Sequence, residues 1–148
     1  MRILALDVGD KRIGVAISDV NQILARSLQV IERRSRQEDF AAVARLVEEY
    51  EVEKVVVGYP RSLNGSVGRQ ARKVKRYATR LAQALSVPVV LWDERLSTVT
   101  AEELMRGVGP KGRRKRQKRV DAVAAAVILQ DYLDSKVKEA GAEHVRAQ

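Results

Sequence analysis

A chain of 148 residues with 45% hydrophobic content suits one domain burying roughly 68–70% of its unfolded surface. With no cysteine, and one histidine (His144) in a polar tail, it lacks the material for disulfides, thiolate or histidine metal sites, cysteine nucleophiles and Ser-His-Asp triads. The net charge of +9 sits in two stretches without acids, seven cations in Lys111–Arg119 and six in Ser66–Ser86; removing these thirteen of 28 leaves 15 basic residues against 19 acidic, a net of −4. Such concentration favours a polyanionic partner, most often nucleic acid, over a merely solvated face.

In chain order, Arg2 to Gly9 reads as a buried strand and Asp10-Lys11-Arg12 as a turn. Ile13 to Ser18 is a second strand in hairpin with the first, and Leu24 to Ile31 a third. Ser35-x-x-Glu38 has the form of a capping box, and Phe40, Val43, Leu46, Val47 and Tyr50 follow at helical spacing. Val55 to Gly58 is a β-branched run typical of a buried parallel strand, and Tyr59 to Ser66 a loop. A basic amphipathic helix is expected from about Val67 to Leu85, then a strand from Val87 to Trp92. Ser97-Thr98-Val99-Thr100 offers capping hydroxyls for a short helix to Arg106. Gly107 to Gln117 reads as a basic loop, and a last helix begins near Lys118. This order predicts an α/β fold: a five-stranded mixed sheet with helices on both faces, in a single domain over 1–138 with a polar tail at 139–148. The apolar runs are too short to span a bilayer and no secretory pattern opens the chain, so the expected location is cytoplasmic.

Three acids stand in apolar surroundings: Asp7 mid-way along the first strand, Glu94 after Val-Pro-Val-Val-Leu-Trp, and Asp121 at the head of the last helix. A carboxylate is costly to desolvate, so one embedded in an apolar segment has a partner cation or a metal. None has a dedicated Lys or Arg, which points to a hard divalent cation, Mg²⁺ or Mn²⁺. At ~4 Å and an effective dielectric of about 20, two such carboxylates repel by about 4 kcal/mol, a penalty that a cation removes. Paired ions of this kind support phosphodiester hydrolysis by water with no protein nucleophile. Each acid also has a purely structural reading: Asp7 as a cap before Gly9, Glu94 as the partner of Arg95, and Asp121 as a helix N-terminal acid. Asp93 replaces Glu94 if the strand register is off by one.

Four motifs in order (Leu-Asp7-Val-Gly9-Asp-Lys11-Arg12-Ile-Gly14, Gly58-Tyr-Pro60-Arg-Ser-Leu-Asn64-Gly65, Asp93-Glu94-Arg95-Leu-Ser97-Thr98 and Val-Asp121-Ala-Val) closely resemble the YqgF family over about residues 1 to 135. These are bacterial proteins with a ribonuclease-H-like fold, associated with Holliday-junction resolution and with maturation of the small-subunit ribosomal RNA precursor. The resemblance implies that Asp7, Glu94 and Asp121 are the catalytic, metal-binding carboxylates. It implies a metal-dependent nuclease acting on structured RNA, at the 5′ end of pre-16S rRNA, with branched DNA and non-catalytic RNA binding in ribosome assembly as the alternatives. Lys11, Arg12, Arg69, Arg72, Lys73, Arg76, Arg113, Arg114, Lys115, Arg116 and Lys118 are the expected nucleic-acid contacts. Gly9, Gly14, Gly58, Pro60, Ser97 and Thr98 are the expected structural positions, and monomer and homodimer both stay open. The first strand and its hairpin are also similar to the phosphate loop of actin-like ATPases and sugar kinases, but those need two such domains around a nucleotide, and this chain has room for one.

Overall fold

The computed structural model describes residues 1–60, 68–93 and 120–136. Five strands, β1 (Arg2–Val8), β2 (Arg12–Ser18), β3 (Ala25–Glu32), β4 (Val52–Tyr59) and β5 (Val89–Asp93), form one sheet in the order β3-β2-β1-β4-β5. Helix α1 (Arg36–Glu49) joins β3 to β4, and α2 (Arg69–Ala84) stands between β4 and β5. A third helix, α3, occupies residues 120–136. The hairpin pairs β1 with β2 antiparallel, while β1, β4 and β5 run parallel. Their carboxyl ends therefore share one edge of the sheet, where open α/β sheets place their sites.

The period-two alternation of β1 separates two cores. Leu4, Leu6 and Val8 face one way and pack with Ile13, Val15 and Ile17 of β2 beneath Val43, Leu46 and Val47 of α1 and Val74, Tyr77 and Leu81 of α2. Ile3 and Ala5 face the other way and join Ala16 and Val56 beneath Ala125, Ile128, Leu129 and Leu133 of α3. Helices thus cover both faces, as the element order predicted. Burying a side chain such as Leu129 or Ile128 stabilises by about 1.5–3 kcal/mol, which makes this second core the force that seats α3.

Local signals set the boundaries. Ser35 caps α1, its hydroxyl accepting from the Glu38 N–H at 3.1 Å. Asp19 holds the β2–β3 turn by accepting from the amides of Ile23 (2.7 Å) and Leu24 (2.9 Å), which keeps its carboxyl below the usual range. Several boundaries differ by one or two residues: β1 ends at Val8, Arg12 opens β2 rather than closing the turn, β3 and β5 run later (Ala25–Glu32 and Val89–Asp93), and Tyr59 ends β4 rather than opening a loop, because it still pairs with Asp93. The expected helix from Ser97 to Arg106, the basic loop Gly107–Gln117, the start of the last helix at Lys118 and the tail at 139–148 lie outside the described residues. Among the described residues, no helix is long and apolar enough to cross a membrane.

Candidate active site

Asp7 stands one residue before the end of β1, nearer the sheet edge than the mid-strand position expected from the sequence. By alternation it shares a face with Ile3 and Ala5, the face covered by α3. Its cross-strand partner is Gly14. A Cβ built on Gly14 would lie 2.0 Å from the carbonyl oxygen of Asp121 and 2.5 Å from its carbonyl carbon. Only glycine leaves room for the first turn of α3 to rest on the hairpin there. The requirement for glycine at position 14 and the meeting of Asp7 with Asp121 thus have one cause.

Two hydrogen bonds hold the head of α3 in place. Arg12 Nε donates to Asp121 Oδ2 at 3.0 Å, with side chains 24% and 18% exposed, and Ser27 Oγ of β3 donates to the Ala122 carbonyl at 3.0 Å. Further along, Gln130 joins α3 to the start of β3, and Lys54 Nζ of β4 donates to Tyr132 Oη at 2.9 Å. The Trp92 and Tyr132 rings meet edge to face, with centroids 5.5 Å apart. The helix bearing Asp121 is therefore fixed to β2, β3, β4 and β5.

The proximity has an electrostatic consequence. Burial, reinforced by the negative charge of Asp121, raises the Asp7 carboxyl from 3.8 to about 6. Among the described residues Asp7 has neither an ion pair nor a hydrogen-bond partner. Asp121 differs. The sequence reading gave it no dedicated cation and counted Arg12 as a nucleic-acid contact. Arg12 opens β2 at the mouth of the hairpin, beside the head of α3, and its Nε pairs with Asp121.

Glu94 immediately follows Asp93, the last residue of β5, and lies outside the described residues, as do Ser97, Thr98 and the basic positions Arg113, Arg114, Lys115, Arg116 and Lys118. Two carboxylates rather than three converge among the described residues, and no group of three acidic or histidine side chains forms there. The pair still suits a hard cation: the donors are carboxylate oxygens, one of them desolvated and uncompensated. Beside it a hollow of about 290 Å³ is lined by Gly9, Asp10, Lys11, Arg12 and Asp121. Gly9 closes the hairpin, its N–H donating to the Arg12 carbonyl at 2.9 Å. Gly58 is buried in β4 and pairs with Trp92, and Pro60 follows that strand.

The basic helix places its cations away from this hollow. Lys73 and Arg76 line a larger cleft on the α1–α2 side, while Arg69 and Arg72 lie exposed in the first turn of α2. Sequence reasoning missed one cluster altogether. Arg33 Nη1 donates to the Gly9 carbonyl at 2.8 Å, its Nε reaches Asp39 Oδ2 at 3.4 Å, and its guanidinium lies 4.9 Å from the centroid of the Tyr77 ring. Asp39 is only 2% exposed, and burial together with its charge raises the Tyr77 phenol. Arg33 thus ties the turn after Asp7 to both helices of the opposite face. An acid beside Phe40 inside an apolar helical pattern was the one available sign that Asp39 needed a partner.

Comparison with known proteins gives the family and the fold. The RuvX family model, described as Holliday junction resolvase, matches residues 1–135. A protein of Caldanaerobacter subterraneus subsp. tengcongensis named "Putative pre-16S rRNA nuclease" is 52% identical over 137 residues, covering 92% of this chain and 98% of its own. One of the same name from Thermoanaerobacter pseudethanolicus is 46% identical over 136 residues, with the same coverage of 92% and 98%. Among solved structures, Thermus thermophilus RuvC in complex with a Holliday junction substrate superposes with a TM-score of 0.58 at 22% identity, covering 93% of this chain and 96% of that one. The fowlpox virus Holliday junction resolvase gives 0.52 at 14% identity, covering 91% and 99%. At these identities the structural likeness fixes the fold, which is that of the RuvC-like, ribonuclease-H-like resolvases.

Proposed function

Since the chain belongs to the RuvX (YqgF) family of nucleases, we propose that it hydrolyses phosphodiester bonds in structured RNA, namely the 5′ end of the 16S rRNA precursor, in the cytoplasm. The observation that carries this reading is the meeting of Asp7 and Asp121 at the carboxyl edge of the parallel strands, made possible by Gly14. The names of the relatives at 52% and 46% identity support RNA as the substrate.

Asp7, Asp121 and Glu94 are the proposed catalytic carboxylates and the ligands of Mg²⁺ or Mn²⁺. The support for Glu94 is the motif Asp93-Glu94-Arg95-Leu-Ser97-Thr98, which begins at the last residue of β5. The cation, when bound, supplies activation of water and stabilisation of the leaving oxygen. The chain's own residues perform the rest. Arg12 holds the Asp121 carboxylate in one orientation, and the rigid seat of α3 keeps that carboxylate beside Asp7. Glu94 would ligate one of the ions or orient the attacking water. Lys11, Arg69, Arg72, Lys73 and Arg76, with Arg113, Arg114, Lys115, Arg116 and Lys118, hold phosphates. Such contacts position the substrate without reading sequence.

The family description favours a second reading, cleavage of four-way DNA junctions, which needs a two-fold dimer to cut two strands symmetrically. The test is cleavage of a pre-16S RNA fragment and of a four-way junction by the parent and Asp7→Asn proteins across a Mg²⁺ titration. The RNA fragment is expected to be cut by the parent alone. Equal cleavage by both proteins removes Asp7 from the chemistry. Cleavage of the junction alone replaces the RNA reading, and binding without any cleavage leaves an assembly factor.

A further inference from the structure

On the side of the hairpin turn away from Asp121, a cleft of about 530 Å³ opens between α1 and α2. Its size falls within the ~300–1,000 Å³ typical of ligand sites. Arg33, Arg36, Lys73, Arg76 and Arg80 line it against a single acid, Asp10. Arg33 is already engaged by Asp39 and the Gly9 carbonyl, and Lys73 lies 3.9 Å from Asp10 in an exposed and therefore weak pair. Arg36, Arg76 and Arg80 have no carboxylate within 4.0 Å among the described residues.

The placement of these charges is unfavourable for folding alone. Arg36 is the first residue of α1, where the helix dipole favours acids. The first turn of α2 contains no acid, and its cations repel one another along the helix. Local choices that work against the fold mark functional positions. The floor of the cleft indicates which part of a ligand it takes. Tyr77, the one aromatic lining residue, has its ring covered by Arg33 and met edge-on by Phe40 at 5.1 Å, so no base can stack there. What remains is a trough for backbone phosphates.

The cleft and the hollow beside Asp121 share two lining residues, Gly9 and Asp10. The hairpin turn is the ridge between them. We propose that the cleft holds a second backbone segment of the substrate while the first lies at the carboxylates, so the preferred RNA folds or branches at the turn beside the scissile bond. This rests on the nuclease reading and narrows it: a straight duplex fills one trough, whereas a branched RNA fills both.

The test is fluorescence anisotropy in EDTA, with a three-way-junction RNA and a linear duplex of equal length, for the parent, Arg36→Ala/Arg80→Ala and Arg26→Ala/Arg45→Ala. The last variant removes two exposed cations outside the cleft and controls for net charge. The parent is expected to prefer the junction by at least tenfold. The Arg36→Ala/Arg80→Ala protein should lose that preference, with a log–log salt slope shallower by about 2 on the junction only, and Arg36→Lys/Arg80→Lys should restore most of the binding. Retained preference in the Arg36→Ala/Arg80→Ala protein, or equal loss in the control, overturns the second segment. Failure of the parent to bind either RNA overturns the reading of RNA as the substrate instead.

Discussion

At the scale of single residues, the site is defined by an imbalance. Asp7 is a carboxylate buried beside another carboxylate, with its pKa raised to about 6. Because the folded-state value lies above the unfolded one, the folded chain prefers the protonated form. Stability is therefore lost as pH rises from about 4, where the unfolded chain begins to ionise, through about 6. Two pKa units correspond to about 3 kcal/mol. Asp7→Asn, measured by thermal unfolding in EDTA, should be more stable than the parent by up to about 3 kcal/mol above pH 6, and no more stable below pH 4. An equal or lower melting temperature at pH 8 would mean that Asp7 is already compensated. An acid that works against the stability of its own fold is expected at a functional position.

At the scale of elements, the decisive contact is α3 against the hairpin at Gly14. Gly14→Ala places a methyl 2.0 Å from the Asp121 carbonyl oxygen. The head of α3 must then move, which should lower stability by about 1–3 kcal/mol and abolish cleavage by separating the carboxylates. A urea titration beside the cleavage assay checks both; an alanine variant that cuts at the parent rate would show that the helix can shift without consequence. Much of this was legible beforehand. The Ser35 cap, the β-branched Val55–Val57 run and the apolar run of β1 are local signals, and each marked an element that is present. The register that sets Gly14 opposite Asp7, the pairing of Arg12 with Asp121 and the Arg33–Asp39–Tyr77 cluster join residues far apart in the chain. Periodicity in one segment carries no record of its partner, so these required the folded sheet.

At the scale of the whole molecule, the described residues separate the paired carboxylates from the cations of α2, with Lys11 and Arg12 on the carboxylate side. The carboxylates occupy the α3 face of the sheet edge, the cations of α2 line the opposite side, and the hairpin turn divides them. On the proposed function, a polyanion is attracted to the cations and delivered to acids that would otherwise repel it. About six phosphate contacts give a log–log salt slope of about −5 for RNA binding, and a slope near −1 would remove these patches from the account.

Central to the account is that Asp7 and Asp121 act together as one divalent-cation site. Titration of Mn²⁺ into the metal-free protein, followed by electron paramagnetic resonance, tests this without reference to substrate. The parent is expected to bind, and Asp7→Asn and Asp121→Asn each to weaken binding at least tenfold while staying folded. Undiminished Mn²⁺ affinity in either variant would contradict it.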